Sequence, residues 1–263
     1  LTDLIAEYKE DLVGGKIYRE FGENFPLLIK FIDAKENLSI QLHPNDALAK
    51  ERHNSFGKTE MWYVMDADED SKLNVGFSKD LDEKSYLDAL NSGKILEVLN
   101  FEEVKKGDSF FIKEGLVHAI GAGCMIAEIQ QTSDITYRIY DWDRVNADGN
   151  SRELHTELAL DALDFKFNKD FKCSYETLSN ESSNIASCEY FTTNFLKVEG
   201  EVVKDYSLLD SFVIFMCVDG SVEITLGENR EVVKKGETLL IPAKEKQVSL
   251  KADSAEVLEV YIK

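Results

Sequence analysis

Short runs rich in β-branched and aromatic residues, separated by polar turns, make up most of the chain after residue 25. Such runs are typical of β-strands. The runs at 27–32 and 38–43 flank a polar stretch and predict a hairpin. Further strands are expected at 60–65, 110–112, 125–129 and 136–140. The pattern predicts a mainly β protein.

Three stretches have apolar residues at helical spacing instead. The first is expected to begin after Thr2 or Asp3 as the N-cap and to end at the glycine pair 14–15. The second covers 81–96 and the third covers 154–163. We therefore expect a small helical insert in the first half of the chain and almost only strands after the third helix.

The chain contains an internal repeat. Residues 104–112 (VKKGDSFFI) resemble residues 233–241 (VKKGETLLI), and each copy consists of a glycine turn followed by an apolar strand. Both copies lie late in a series of short strands, which indicates two related β units. We expect a catalytic domain at 1–165 and a second domain at 166–263. On this pattern alone, chance similarity between two common turns stays open.

The two copies differ in the residues after the glycine turn. The first continues with Gly115 and His118, whereas Lys244 and Gln247 stand at the matching positions of the second. The first spacing resembles the second motif of the cupin superfamily, a double-sheet jelly roll, although Lys113 replaces the proline of that motif. The chain thus resembles a bicupin whose first barrel binds a metal. The second barrel lacks ligands and is expected to be a structural partner rather than an active site.

Four side chains are candidate metal ligands in the first barrel. Gln41 and His43 lie two residues apart in a predicted strand and therefore share a face. Glu60 lies on the next predicted strand, and His118 ends the first glycine motif. A single strand histidine is more often a core residue than a ligand, but these four donors together suit Zn²⁺ with a position left open. We predict one zinc ion per chain.

Charge and composition narrow the set of partners. The sequence has 30 Lys and Arg against 50 Asp and Glu, and a net charge of −20 repels nucleic-acid phosphates and anionic lipids. The longest strongly apolar run, 212–218, is shorter than the roughly 20 residues of a membrane helix. The four cysteines form no C-x-x-C pair, and no signal-peptide pattern is visible. We expect a cytoplasmic protein with reduced cysteines, and neither nucleic acid nor membrane as a partner.

Three motifs carry a more specific resemblance. Residues 41–46 (QLHPND), 57–63 (GKTEMWY) and 133–138 (SDITYR) are similar to those of type I mannose-6-phosphate isomerases, and more narrowly of their short bacterial form. The similarity covers most of the chain and is densest over 25–163. It implies an enzyme that interconverts mannose 6-phosphate and fructose 6-phosphate through an enediolate, with zinc held by the four candidate ligands. It also implies a monomer with a small hexose phosphate as its substrate.

The resemblance also implies roles for residues near the metal. Arg138 matches the catalytic arginine of the family, and Arg144 lies where longer members carry a phosphate-contacting lysine. A guanidinium group can bind phosphate oxygens with two hydrogen bonds. Lys58, two residues before Glu60, is a candidate acid/base group. Asp134 is a candidate either to orient Arg138 or to transfer a proton, and the identity of the base stays open.

The start of the chain departs from the family pattern. Members usually begin with several tens of residues that form a first strand and a Trp-Gly-Gly stretch near the site. This chain begins at Leu1, without Met and past that region. We therefore expect this chain to be a fragment, shorter than the usual family member.

Two other functions stay open. His43, Glu60 and His118 also fit the two-histidine, one-carboxylate triad of an Fe(II) cupin oxygenase. Gln41 as a fourth ligand argues against it, because oxygen and substrate need open positions. A non-catalytic sugar-phosphate-binding cupin is the third candidate, but such a protein has no use for Lys58 together with the metal ligands. The breadth of aldose specificity is not fixed by the sequence.

Overall fold

The computed structural model describes residues 1–145 and 147–263. The first part of the chain forms α1 Thr2–Tyr8, α2 Glu10–Val13, α3 Gly15–Phe21, β1 Leu27–Ala34, β2 Ile40–Leu42, α4 Asp46–His53, β3 Glu60–Ala67, β4 Lys72–Phe77, α5 Glu83–Asn91, a 3₁₀ helix Ile95–Val98, β5 Leu99–Glu103, β6 Ser109–Ile112, β7 His118–Ile120, β8 Cys124–Gln131, β9 Tyr137–Tyr140 and α6 Thr156–Leu160. The last part forms β10 Ser182–Ser187, β11 Thr192–Asp205, β12 Val213–Leu226, β13 Asn229–Lys234, β14 Thr238–Ile241 and β15 Gln247–Tyr261. Strands predominate, as predicted. None of the described helices is long and apolar enough to cross a membrane.

The described residues group into two compact units. The first unit is Leu28–Lys172, and the second unit combines Leu1–Leu27 with Cys173–Lys263. The sequence predicted domains at 1–165 and 166–263, and this division stays a prediction. The first 27 residues, however, group with the C-terminal strands rather than with residues 28–172. This is because backbone hydrogen bonds join residues 243 and 244 to the carbonyl oxygens of residues 12 and 11.

The first unit contains two sheets of antiparallel strands. One has the order β1-β8-β3-β6 and the other β5-β4-β7-β2-β9. One core cluster includes Trp62 and Val64 of β3, Val75 of β4 and Phe110 of β6. Because these residues come from both sheets, this cluster fills the space between the sheets, as in a jelly roll.

A second cluster covers the five-stranded sheet with helices. It joins Ile40 and Leu42 of β2 to Tyr86 of α5 and Ala159 of α6, all fully buried. The helical insert therefore packs against the face of β2 that carries Ile40 and Leu42. Gln41, between these two residues, projects to the opposite face of the strand.

The predicted hairpin between 27–32 and 38–43 does not form, although both strands exist. β1 pairs with β8 in one sheet, and β2 pairs with β7 and β9 in the other. The polar stretch between them therefore crosses from sheet to sheet. A jelly-roll crossing and a hairpin turn have the same local sequence pattern, because both need a polar connection between two strands.

The predicted N-terminal helix is three short helices, α1 to α3. Lys9 has a φ of 47° and separates α1 from α2, and the N-cap of α1 is Leu1, with no side-chain capping bond. Gly14 ends α2 as expected, but a new helix begins at Gly15. The carboxylate of Asp210 accepts the backbone N–H of Gly15 at 2.9 Å, which caps that new helix from a distant part of the chain.

The strands of the second unit form one antiparallel sheet. Its order is β10-β11-β15-β12-β13, and β14 pairs with β12. Three strands, β11, β12 and β15, are 14 or 15 residues long. Register shifts interrupt their pairing, for example between Val198 and Gly200 and between Cys217 and Asp219. Such shifts bend strands, so the sheet curls around a buried core that includes Phe215.

The pairing register supports the internal repeat. In the first unit Glu60 lies opposite Ile112 of β6, and in the second unit Val213 lies opposite Ile241 of β14. Ile112 and Ile241 are the last residues of the two repeat copies. Val213 therefore occupies the position of Glu60, and an apolar residue replaces the predicted carboxylate ligand in the second unit.

Candidate metal centre

Three buried side chains meet inside the first unit. His43 follows β2, Glu60 begins β3 and His118 begins β7. His43 Nε2 lies 3.5 Å from Glu60 Oε2, and His118 Nε2 lies 3.4 Å from Glu60 Oε1. Ligand atoms at about 2.1 Å from a tetrahedral ion are roughly 3.4 Å apart. The spacing of the three groups therefore matches that of ligands around one metal ion.

Both imidazole rings are held by backbone carbonyl groups. His43 Nδ1 is 2.8 Å from the carbonyl oxygen of Ile135, and His118 Nδ1 is 2.8 Å from that of Leu116. A carbonyl oxygen only accepts, so each Nδ1 carries the proton. Each Nε2 is left with its lone pair directed toward Glu60, which is the arrangement of a metal-binding histidine.

The unpaired atoms and the charges of the three groups also fit a cation. His43 Nε2 and Glu60 Oε1 are buried and have no hydrogen-bond partner. Burial lowers the pKa of His43 to about 4 and also lowers the pKa of His118. Burial opposes the charge on Glu60, but His118, His43 and Lys58 outweigh it and lower its pKa to about 2. Neutral imidazoles and an ionised carboxylate are the forms that bind a metal.

Gln41 lies beside the three groups. It is directly opposite His118 in the pairing of β2 with β7, and its Nε2 is 3.5 Å from His118 Nε2. Its Oε1 accepts a hydrogen bond of 3.2 Å from Ser39 Oγ. Amides bind metals through their oxygen atom. Gln41 can therefore be a ligand only if its amide is flipped, so that Oε1 rather than Nε2 faces the triad. The structure places Gln41 at the site, and its role as a ligand stays a proposal.

A tight turn aligns the two histidines. Gly115 has a φ of 81°, a conformation that favours glycine, and its N–H donates a 2.8 Å hydrogen bond to the carbonyl oxygen of His43. A Cβ at this position would lie 2.5 Å from the carbonyl oxygen of Ala162. The turn that leads to His118 is therefore hydrogen-bonded directly to the segment that carries His43.

Lys58 is buried near this cluster, as the sequence predicted. Its residue is 6% exposed. Burial is the main cause that lowers the pKa of Lys58, and the charge of Glu60 opposes the shift. An ammonium group whose pKa is lowered gives up its proton more readily, which suits an acid/base role.

The sequence pattern did not single out Lys30 and Glu128, an ion pair near the cluster. Lys30 Nζ of β1 donates to Glu128 Oε1 at 2.7 Å and to Gln130 Oε1 at 2.5 Å. Glu128 also accepts a 2.9 Å hydrogen bond from Trp62 Nε1, and the Trp62 ring lies 5.3 Å from that of His118. The alternation of Glu128 and Gln130 along β8 was the only available signal, because the pairing of Lys30 with β8 depends on the order of the sheet.

Two consecutive hydrogen bonds, through Ser39, link the Arg138 side chain to that of Gln41. Arg138 Nε is 3.3 Å from Ser39 Oγ, the same hydroxyl that bonds Gln41. Its Nη1 donates to the carbonyl oxygen of Glu153 at 2.9 Å. Burial, followed by the charge of Arg152, lowers the pKa of Arg138. The guanidinium is therefore held near the candidate ligands from the edge strand β9.

Two predicted site residues have other immediate neighbours. Arg144 donates to Asp141, through Nη2 to Oδ1 at 2.5 Å, and Arg152 Nε donates to the other oxygen of Asp141 at 2.8 Å. Asp134 is exposed, and its charge acts on Lys58. No hydrogen bond or ion pair is shown between Asp134 and Arg138 in the described part of the chain. A phosphate-contacting role for Arg144 and a proton-transfer role for Asp134 stay predictions.

Comparisons with known proteins identify the family of the chain. The family model for the phosphomannose isomerase type I catalytic domain matches residues 1–90, and that for the mannose-6-phosphate isomerase cupin domain matches residues 181–262. A mannose-6-phosphate isomerase of Streptococcus mutans is 34% identical over 244 residues, which are 92% of this chain and 74% of that protein. The chain belongs to the type I mannose-6-phosphate isomerase family.

Two further comparisons are with mannose-6-phosphate isomerase from Bacillus subtilis. One mannose-6-phosphate isomerase is 33% identical over 224 residues, 84% of this chain and 70% of that protein. A crystal structure of the mannose 6-phosphate isomerase from the same organism has a TM-score of 0.86 at 29% identity and covers 98% of this chain and 81% of that one. The family and the cupin fold predicted from the sequence are both confirmed.

Proposed function

We propose that the protein interconverts mannose 6-phosphate and fructose 6-phosphate, with one zinc ion held by Gln41, His43, Glu60 and His118. Family membership supports the substrate pair. The observation that carries the metal proposal is the buried triad, in which two imidazole Nε2 atoms point at one carboxylate. Two nitrogen ligands and two oxygen ligands suit zinc.

The reaction moves a proton between C1 and C2 of the open-chain sugar through an enediolate. The bound ion would supply Lewis acidity for the negative charge that develops on the sugar oxygens. The protein must also bind a phosphate dianion and transfer the proton. Cationic groups for both tasks surround the cluster, namely Lys30, Lys58 and Arg138.

We propose Lys58 as the group that transfers the proton. Lys58 is buried two residues from Glu60, and its pKa is lowered. Arg138 is assigned to stabilising charge on the substrate, because its guanidinium is held by Ser39 and by the carbonyl oxygen of Glu153. A planar, fixed cation can hold an oxyanion or a phosphate with two hydrogen bonds.

Family membership favours the isomerase over the oxygenase and over the non-catalytic sugar-phosphate-binding protein that the sequence left open. The homologues named above are called isomerases. Cytoplasmic location, the monomeric state and the identity of the metal stay predictions.

A coupled assay tests the proposal. Mannose 6-phosphate is supplied to the purified chain, and the fructose 6-phosphate formed is measured before and after treatment with a chelator. We expect turnover that is lost on chelation and restored by zinc. The Glu60→Gln variant is expected to be inactive with or without added zinc, whereas Glu51→Gln, an exposed control on α4, keeps activity. Turnover that survives complete chelation would refute the metal requirement.

A further inference from the structure

The second unit contains a polar cavity that the proposed reaction does not use. Its volume is about 560 Å³, within the usual range of small-molecule sites. It lies among β10, β11, β15 and the segment after β11. The side chains that define it are Ser182, Asn194, Lys204, Tyr206, Glu259 and Tyr261.

This cavity corresponds to the metal centre of the first unit in the internal repeat. Glu259 lies opposite Phe215 of β12, as Glu128 lies opposite Trp62 of β3. Asp205, which also lines the cavity, lies opposite Gln247, as Gln41 lies opposite His118. The second unit therefore keeps an open cavity at the position where the first unit holds its candidate ligands.

A buried carboxylate fixes the polar side chains of the cavity. Glu259 is 1% exposed and accepts hydrogen bonds from Tyr206 Oη, from Asn194 Nδ2 at 2.8 Å and from Ser182 Oγ at 2.8 Å. Lys204 Nζ lies 3.2 Å from Glu259 Oε1 and 2.6 Å from Ser182 Oγ. A buried charge needs such partners, so this network holds the side chains in one arrangement before any ligand arrives.

The charges of the network cancel. The carboxylate of Glu259 is matched by the ammonium group of Lys204. Lys263 also lines the cavity, but it is exposed, and solvent weakens the attraction of such a cation for an anion. Lys204 already pairs with Glu259, so none of the cavity side chains named above is a buried cation that is free to bind a phosphate group. Asp205 also lines the cavity, and its exposed carboxylate adds negative charge that repels a phosphate. Ser182 and Tyr206 donate to Glu259 and keep oxygen lone pairs with which to accept from a ligand, whereas Tyr261 Oη accepts from Asn194 and keeps its own proton to donate.

We propose that this cavity binds an uncharged monosaccharide without converting it. Several fixed hydroxyl and amide groups suit a ligand that carries many hydroxyl groups. The ring of Tyr261 and the side chain of Leu209 line the same cavity and can cover the C–H face of a sugar. Val213 and Gln247 replace Glu60 and His118, so the cavity lacks the metal triad needed for the reaction. This proposal does not depend on the proposed function of the first unit.

Titration of the full chain with free hexoses tests the proposal. D-Mannose, D-glucose and D-fructose are each added while binding is followed by saturation-transfer-difference NMR and calorimetry. We expect saturable binding of at least one, with a dissociation constant on the order of 1–10 mM. An excess of mannose 6-phosphate is expected to leave this binding in place, because the interior of the cavity offers no free cation for the phosphate.

Three variants locate the binding. Lys204→Met is expected to weaken it roughly tenfold or more, and Tyr261→Phe roughly threefold, since each loses polar contacts to the network or the ligand. Lys251→Met, an exposed control on the same strand as Tyr261, is expected to bind like the parent chain. Circular dichroism establishes that each variant is folded, and Tyr261→Phe keeps the test valid if Lys204→Met does not fold.

Any one of three results would overturn the proposal. The first is the absence of saturable binding of all three hexoses up to about 100 mM, far above a useful sugar affinity. The second is complete displacement by mannose 6-phosphate, which would place the sugar in the first unit. The third is unchanged affinity in folded Lys204→Met and Tyr261→Phe.

Discussion

Buried side-chain atoms without a hydrogen-bond partner define the candidate metal centre. His43 and His118 each commit Nδ1 to a backbone carbonyl group, which leaves Nε2 for a ligand role. Glu60 is ionised although it is buried, and one of its oxygens has no hydrogen bond. Leaving such groups unsatisfied is costly, so a cation at their centre would stabilise the folded chain as well as serve the reaction.

Arg138 gives the clearest test of a single catalytic side chain. We expect Arg138→Ala to lower turnover of mannose 6-phosphate roughly a thousandfold, because a fixed cation beside the substrate is lost. Metal content should not change, because the described contacts of the Arg138 guanidinium are with Ser39 and the carbonyl oxygen of Glu153, and the backbone pairing of Arg138 with Gln41 does not need its side chain. Arg230→Ala, at an exposed position of the second unit, is the control. A zinc-loaded Arg138→Ala enzyme of normal turnover would exclude Arg138 from the mechanism.

The sequence was sufficient to predict that the three buried candidate ligands His43, Glu60 and His118 lie together. Gln41 and His43 alternate with apolar neighbours, and side chains two apart on a strand share a face, so the inward direction was evident. Lys30 and Glu128 were missed for a physical reason. Lys30 and Glu128 pair because β1 and β8 are adjacent strands of one sheet. The two strands are far apart in sequence, and the hydrophobic pattern does not determine the order of strands in a sheet.

At the scale of secondary-structure elements, the prediction succeeded where local pattern decides. The strands at β3, β6, β8 and β9 and the helical insert at α5 formed as expected. α4 was missed because its sequence, DALAKERH, is mostly polar and buries only Ala49. An Asn45 cap, which accepts the N–H of Leu48 at 2.9 Å, helps this helix form without an apolar face.

The turn at Gly115 is expected to be essential for the position of His118. Gly115→Ala forces a side chain into a left-handed conformation and toward the carbonyl oxygen of Ala162, at 2.5 Å. We expect a loss of about 3 kcal/mol in the free energy of unfolding, together with weaker zinc binding. Gly93→Ala shares the positive φ but meets nothing within 4 Å, and it should cost about 1 kcal/mol. Equal losses in the two variants, measured by denaturant unfolding, would contradict the role of the turn.

Asp141 ties the segment after β9 to two arginines. Hydrogen bonds from Arg152 and then Arg144 lower its pKa to about 2, below the ordinary value of 3.8. Folding therefore favours the ionised form of Asp141. Its contribution to the free energy of unfolding is fully present above about pH 4 and is lost as the pH falls toward about 2.

The Asp141→Asn variant measures that contribution. We expect it to be about 1–2 kcal/mol less stable than the parent chain at pH 6, and the difference should shrink when both are unfolded near pH 2.5. Asp143→Asn, two residues along, is the control. A difference that does not depend on pH would show that the charge of Asp141 is not what stabilises the segment.

At the scale of the whole molecule, the chain combines two related β units with unequal chemistry. The repeat at 104–112 and 233–241 predicted the duplication, and the shared register of β6 and β14 supports it. The sequence could not show that residues 1–27 group with the C-terminal strands, because that grouping depends on hydrogen bonds to residues more than 190 positions away.

The net charge of −20 predicts an effect of salt on stability. Like charges repel one another more strongly in the compact state, and salt screens this repulsion. We expect the thermal unfolding midpoint to rise when NaCl is increased from about 10 mM to about 200 mM, which shortens the screening length severalfold. A midpoint that falls instead would show that attractive ion pairs outweigh the net repulsion.

We propose that His43, Glu60 and His118 together hold one metal ion, and the metal content of purified protein is the decisive measurement. Elemental analysis by mass spectrometry is performed on the chain purified without added metal, on Glu60→Gln and on the control Glu51→Gln. We expect one zinc ion per chain in the parent and the control, and less than a tenth of that in Glu60→Gln, because an ionised ligand is lost. Equal zinc in Glu60→Gln and the parent, or a fully active parent without bound metal, would contradict it.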